Sequence, residues 1–228
     1  MNSKELGKIP KTKIENISLK RKAYLVTMLP NIPSSVEYTG KIKKYWNAVD
    51  LQISQLESKA GVVKKILIEG IIGQGDDAEL MLEQSTPQAL SLIKTRRSSG
   101  AKLESYEDKE LFEKLFDLGR CIQMGLVNKE IADLLTNKYK EISEKRHQHL
   151  IKTLDETVDE GEALLLIGSD LQNVIPDDME KFFVSPPELD EVTRWIRDQQ
   201  ANQNTAEDSN QPEDDSEDQK VSKLWTPN

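Results

Sequence analysis

Apolar positions along the chain recur in two rhythms. Residues 22–29 (KAYLVTML) form a short continuous apolar run, halted by Pro30 and Pro33, which predicts a buried strand. From Ser34 or Ser35 the rhythm changes. Ile42, Tyr45 or Trp46, Val49, Ile53, Leu56 and Ala60 follow one another in steps of three and four and end at Gly61. That spacing puts one apolar stripe along a long helix that opens on a serine cap and closes on a glycine. Residues 62–69 (VVKKILIE) read as a second strand, followed directly by Gly70. A strand, a helix and a strand in succession predict parallel strands joined by a right-handed crossover.

Further along, a shorter helix is predicted over 77–94 and a brief strand over 101–104, after Gly100. Glu107 and Asp108 stand at the mouth of the next helix, where acids suit the positive end of the backbone dipole. That helix carries Leu111, Phe112, Leu115, Phe116, Leu118, Ile122 and Met124, a broad apolar face that predicts a central position. Asn128 caps another helix, bearing Ile131, Leu134, Leu135, Tyr139 and Ile142. It either continues into, or breaks before, a stretch with His147, Leu150, Ile151, Leu154 and Val158. After Gly161 comes ALLLIG (163–168), the most apolar stretch of the chain and short enough for an interior parallel strand. KFFV (181–184) reads as a last strand, and residues 189 to about 199 as a final amphipathic helix carrying Leu189, Val192, Trp195 and Ile196. The fold class predicted is α/β, with a single domain over 21–200 whose mainly parallel sheet is flanked by helices.

Charge changes the picture at the two ends. The whole chain has 228 residues, a formal net charge of -9 and 36% hydrophobic residues. Residues 201–228 hold seven acids against Lys220 and Lys223, and their scarcity of apolar side chains predicts a disordered acidic tail. Leu224 and Trp225, near its far end, suit an anchor for a protein partner. The first 20 residues read as a flexible basic arm. No aromatic residue interleaves its lysines, so no nucleic-acid partner is expected. With no apolar run near the ~20 residues of a membrane helix, no membrane partner is expected either and a cytoplasmic location is. The single cysteine, Cys121, lies in an apolar helical run and reads as a buried structural thiol.

The candidate chemistry follows from the predicted sheet. Ligands of open parallel sheets bind beyond the carboxyl ends of the strands, which here are Thr27 to Pro30, Glu69 and Gly70, Glu104 to Asp108, and Gly168-Ser169-Asp170. Glu69 leaves a buried strand directly and reads either as a metal ligand or general base, or as a structural carboxylate paired with Arg146 or Arg120. Glu107 and Asp108 read as a helix-terminal charge pair or crevice residues, and Asp170 as a turn cap or a site residue. Thr27 and Ser169 complete the crevice lining. Both histidines of the chain, His147 and His149, lie on one predicted helix at i and i+2. They point to different faces and cannot chelate one ion. His149 is expected in solvent, His147 half-buried at best, and Arg146 is the better crevice residue, pairing with Glu69 or an anionic ligand.

The strand ending in Glu69, together with a helix opening on Lys145-Arg146 and running through Gly161 into 163–170, resembles the TraB/PrgY/Tiki-like family and its ChaN and erythromycin-esterase relatives. The resemblance spans about residues 22–184. It implies an α/β scaffold and, in members proposed to be metal-dependent hydrolases, a histidine after the first strand and another after the late strand. The matching segments here read TMLP (27–30) and Gly168-Ser169-Asp170, without histidine, so only Glu69 and Arg146 carry over. Two functions are therefore expected. One is a non-catalytic interaction or regulatory domain, without cofactor, that engages a protein through its tail. The other is a hydrolase or transferase with candidate catalytic residues Glu69, Arg146 and Asp170, using Mg2+ or Mn2+ held by carboxylates.

Overall fold

All strand pairings in the computed structural model are parallel, in a five-stranded sheet of order β3-β2-β4-β1-β5. The structure describes residues 20–32, 35–169 and 171–208. The strands are β1 (Lys22–Thr27), β2 (Val63–Ile68), β3 (Lys102–Leu103), β4 (Ala163–Gly168) and β5 (Glu180–Val184). The α/β fold read from the sequence is the one the chain adopts. The first strand–helix–strand unit does not form a bonded strand pair, however: β4 lies between β1 and β2. The reason is hydropathy, since all six residues of β4 are buried, and a strand without a polar face is best satisfied with neighbours on both edges.

Helix α1 (Val36–Ala60) begins where the Ser35 side chain accepts the Tyr38 N–H and ends at Gly61. Its stripe of Ile42, Tyr45, Trp46, Val49 and Ile53 is buried, and Leu56 is half-buried. Tyr24 of β1 donates to the Gly61 carbonyl at 2.6 Å and Tyr45 donates to the Thr27 carbonyl at 2.7 Å, so α1 lies on the sheet face that carries Tyr24. Alternation sends Ala23 and Leu25 to the opposite face. There they form a core with Leu164 and Leu166 of β4 and with Leu150, Leu154, Leu171 and Val174.

The helix expected over 77–94 is broken. It forms α2 (Gly75–Ser85), a 3-10 turn (Pro87–Ala89) and α3 (Leu90–Ser98). Pro87 lacks an N–H and biases the preceding residue out of the helical region; Thr86 accordingly has φ -143 and ψ 65. Arg96 of α3 is buried and held by Asp50, Ser54 and Glu57 of α1.

Helix α4 (Lys109–Gln123) is not central. None of its residues is buried, Phe116 is 58% exposed, and Cys121 is exposed rather than a buried thiol. Its apolar face turns instead toward α5 (Lys129–Thr157), which runs unbroken through both predicted stretches. Tyr139 of α5 lies beside Gly119 of α4. The second half of α5 reaches the core on the sheet through Leu150 and Leu154. The chain then passes through β4 and the short α6 (Leu171–Val174) to β5.

Helix α7 runs from Pro187 to Asp208, so residues 201–208, expected in the tail, are helical. The described residues through Val192 belong to one compact unit, in which Val192 is fully buried; the rest of α7, from Thr193 to Asp208, belongs to another. Leu224, Trp225 and the basic arm up to residue 19 lie outside the described residues. Among the described residues no helix is long and apolar enough to cross a membrane.

Candidate functional site

At the carboxyl edge of the sheet, three charged side chains from three elements meet. Glu69 leaves β2 with its N–H still bonded to the Ile167 carbonyl at 2.8 Å, which fixes its side chain beside the end of β4. There one carboxylate oxygen accepts both the N–H of Ser169 at 2.6 Å and its hydroxyl at 2.8 Å. The other accepts Nη2 of Arg146 at 3.2 Å. Gly168 makes this seat possible: a Cβ there would stand 2.8 Å from the Glu69 carboxylate oxygen.

Glu107 precedes α4 but does not cap it. Asp108 is the cap, accepting the Leu111 N–H at 2.8 Å. The Glu107 side chain instead turns inward and is wholly buried. Its Oε1 accepts the Gly70 N–H at 2.7 Å and Nη2 of Arg146, and its Oε2 accepts the Arg146 Nε at 2.8 Å. Arg146 therefore faces Glu107 as a planar fork and reaches Glu69 with the same Nη2. Arg120 takes no part and lies over the exposed Phe116 ring, 5.7 Å from its centroid.

The electrostatics follow the geometry. Burial pushes the Glu69 carboxyl up, but the Ser169 N–H and hydroxyl and the Arg146 charge outweigh it and hold its pKa below the usual value. Burial alone would lower the Arg146 guanidinium; bonding to Glu107 and the charges of Glu107 and Glu69 raise it instead. Tyr106, buried next to the cluster, is raised by burial and then by the charges of Glu69 and Glu107. It stays a neutral phenol.

Two cavities share Glu69 and Arg146. The inner one, about 130 Å³, is lined also by Tyr106, Ser143, His147 and Leu166. The outer one, about 390 Å³, opens between the turn after β1 (Met28, Leu29, Pro30) and the α4–α5 hairpin (Phe112, Phe116, Tyr139). Ser169 sits at the floor of the outer cavity, as does Gly70.

Of the residues singled out from the sequence, Glu69, Arg146, Glu107 and Ser169 thus come together. Thr27 does not join them: its carbonyl is held by Tyr45 and it lines neither cavity. Asp108 is spent on its cap, and Asp170 lies outside the described residues. His149, expected in solvent, is half-buried and within 3.2 Å of the Thr153 hydroxyl. Tyr106, Ser143 and His147 were not singled out for the crevice. Three of the lining residues, Ser143, Arg146 and His147, and also Leu150, follow at steps of three, one and three on α5, so the helix period around Arg146 was a signal that could have found them.

A metal would need several oxygens converging on one empty point at on the order of 2 Å. Here the Arg146 guanidinium stands between the two carboxylates. Among the described residues no group of three or more His, Cys, Asp or Glu side chains could hold a metal ion. No protein-family model, curated protein or solved structure matches the chain.

Proposed function

We propose that this protein is a non-catalytic interaction or regulatory domain built on a TraB-like scaffold, with the carboxyl-edge crevice as a binding site rather than a reaction centre. The observation that carries this reading is that both glutamates are already engaged by the protein's own donors. Each Glu69 oxygen accepts a bond, one from Ser169 and one from Arg146, and the Glu107 oxygens accept from Arg146 and the Gly70 N–H. A general base near neutral pH needs a pKa raised toward that pH. Glu69 has a lowered pKa instead. In this reading Leu224 and Trp225 at the end of the acidic tail supply the contact to a protein partner.

The reading competes with a carboxylate-dependent hydrolase using Mg2+ or Mn2+, and a melting experiment separates them. Ligands of the native state raise its melting temperature. The binding-domain reading expects wild type and Glu69→Gln to melt without response to millimolar Mg2+ or Mn2+. A metal-dependent rise in wild type that disappears in Glu69→Gln would overturn it in favour of the hydrolase.

A further inference from the structure

The outer cavity has a body and an end of different character. Its walls are apolar and aromatic, contributed by Met28, Leu29, Phe112, Leu115, Phe116 and Tyr139. Its floor presents Glu69 and Arg146, and behind them lies Glu107, fully covered. Two carboxylates against one guanidinium leave the cluster a formal charge of -1. The excess is not spread evenly. Glu107 grips Arg146 with both oxygens, whereas Glu69 holds it by one contact at 3.2 Å. Glu69 is also the carboxylate that borders the cavity, with its side chain 21% exposed.

Charge decides which ligand such a site takes. A carboxylate or phosphate arriving at the floor would be a third anion competing for one arginine already held by two. A cation arriving there would bring the cluster to neutrality and could bond to Glu69 without displacing Glu107. The aromatic rings in the lining add to the preference, because a ring quadrupole attracts cations. The Phe116 ring already carries the Arg120 guanidinium, which leaves Phe112 and Tyr139 for an incoming charge. The cavity volume of about 390 Å³ lies within the range of small-molecule sites.

The geometry points to an amphipathic organic monocation as the ligand: an amine whose ammonium group bonds to Glu69 and whose apolar body lies between the turn after β1 and the α4–α5 hairpin. This inference rests on the crevice being a binding site, and names what it binds. The full-length protein would be titrated by calorimetry with three molecules of one shape: 4-phenylbutylamine, 4-phenylbutan-1-ol and 4-phenylbutyrate. We expect the amine to bind tightest and the acid weakest, with at least tenfold between them. Glu69→Gln, which keeps the side-chain volume, should remove the advantage of the amine over the alcohol. Phe116→Ala, at a largely exposed position, should weaken all three alike by several-fold. The proposal is overturned if the acid binds as tightly as the amine, if none of the three binds at millimolar concentration, or if Glu69→Gln leaves the preference for the amine intact. The ranking of the three ligands needs wild type alone, so it decides even if Glu69→Gln does not fold. It is also separate from the metal test above. A metal response that depends on Glu69 would remove the non-catalytic reading without touching the ranking, and absence of amine binding would remove the ligand assignment without producing a metal site.

Discussion

At the residue scale, the two glutamates on Arg146 differ in what they leave behind when removed. Glu107 is wholly buried and supplies both oxygens, one of which also holds the Gly70 N–H. Replacing it with Ala strands most of a guanidinium and a backbone donor, so Glu107→Ala should cost about 3 to 5 kcal/mol, the range for breaking a buried pair from one side. Glu69→Ala leaves Arg146 its better partner and should cost about 1 to 3 kcal/mol. Chemical denaturation of both variants checks the order, and a larger loss for Glu69→Ala would contradict it. Glu69 also carries a pH signature. Its folded pKa is lowered, so its contribution is complete above the ordinary carboxylate pKa of about 4.3 and is lost as pH falls from there through the folded value. The melting-temperature gap between wild type and Glu69→Gln should stay constant above about pH 5.5 and narrow in acid; a gap that widens in acid would mean the opposite shift. Much of this cluster was legible. Glu69 follows from the rule for strand ends, and Arg146 from being a cation beside two histidines that cannot chelate, suited to pair with Glu69 or an anion. Glu107 was legible only as one of a pair with Asp108, because sequence spacing marks the mouth of a helix but does not say which of two adjacent acids turns outward to cap it and which turns in.

At the element scale, periodicity located nearly every helix and strand and failed where tertiary context chose the partner. The stripe of α1 was readable because its three-and-four steps run the length of the helix and face a sheet. Ile53 is fully buried there, so Ile53→Ala should cost about 2 to 5 kcal/mol. A calorimetric loss under 1 kcal/mol would mean that α1 does not rest on the sheet as described. The apolar face of α4 carries an equally clear pattern, yet its partner is α5, and a hairpin of two helices covers only part of each face. Amphipathicity reports that a helix has something to bury and does not report how deeply. The position of β4 between β1 and β2 was likewise hidden, since hydropathy identifies an interior strand without giving its neighbours.

At the scale of the whole molecule, these placements divide stability unevenly. β4 is buried at all six positions and bonded on one edge to β1 and on the other to β2. Opening it requires the sheet to come apart. α4 has no buried residue, and beyond it Met124 is 82% exposed, Val127 fully so, and Ile131 and Leu134 are exposed on the first half of α5. Segments with few buried apolar contacts open locally at a fraction of the global free energy, while central strands exchange their amides only when the whole domain unfolds. Hydrogen exchange on the full-length protein should therefore find the β4 amides slowest and in step with the free energy from denaturant melts. Those of α4 and of α5 up to about Tyr139 should exchange faster by orders of magnitude. Leu150 and Leu154 sit in the core against the sheet, so protection along α5 should rise toward its second half, and the gradient itself is the sharper observable. Uniform slow exchange along the hairpin would contradict this division, and repeating the measurement at tenfold lower protein concentration would tell whether another copy of the chain supplied the missing protection.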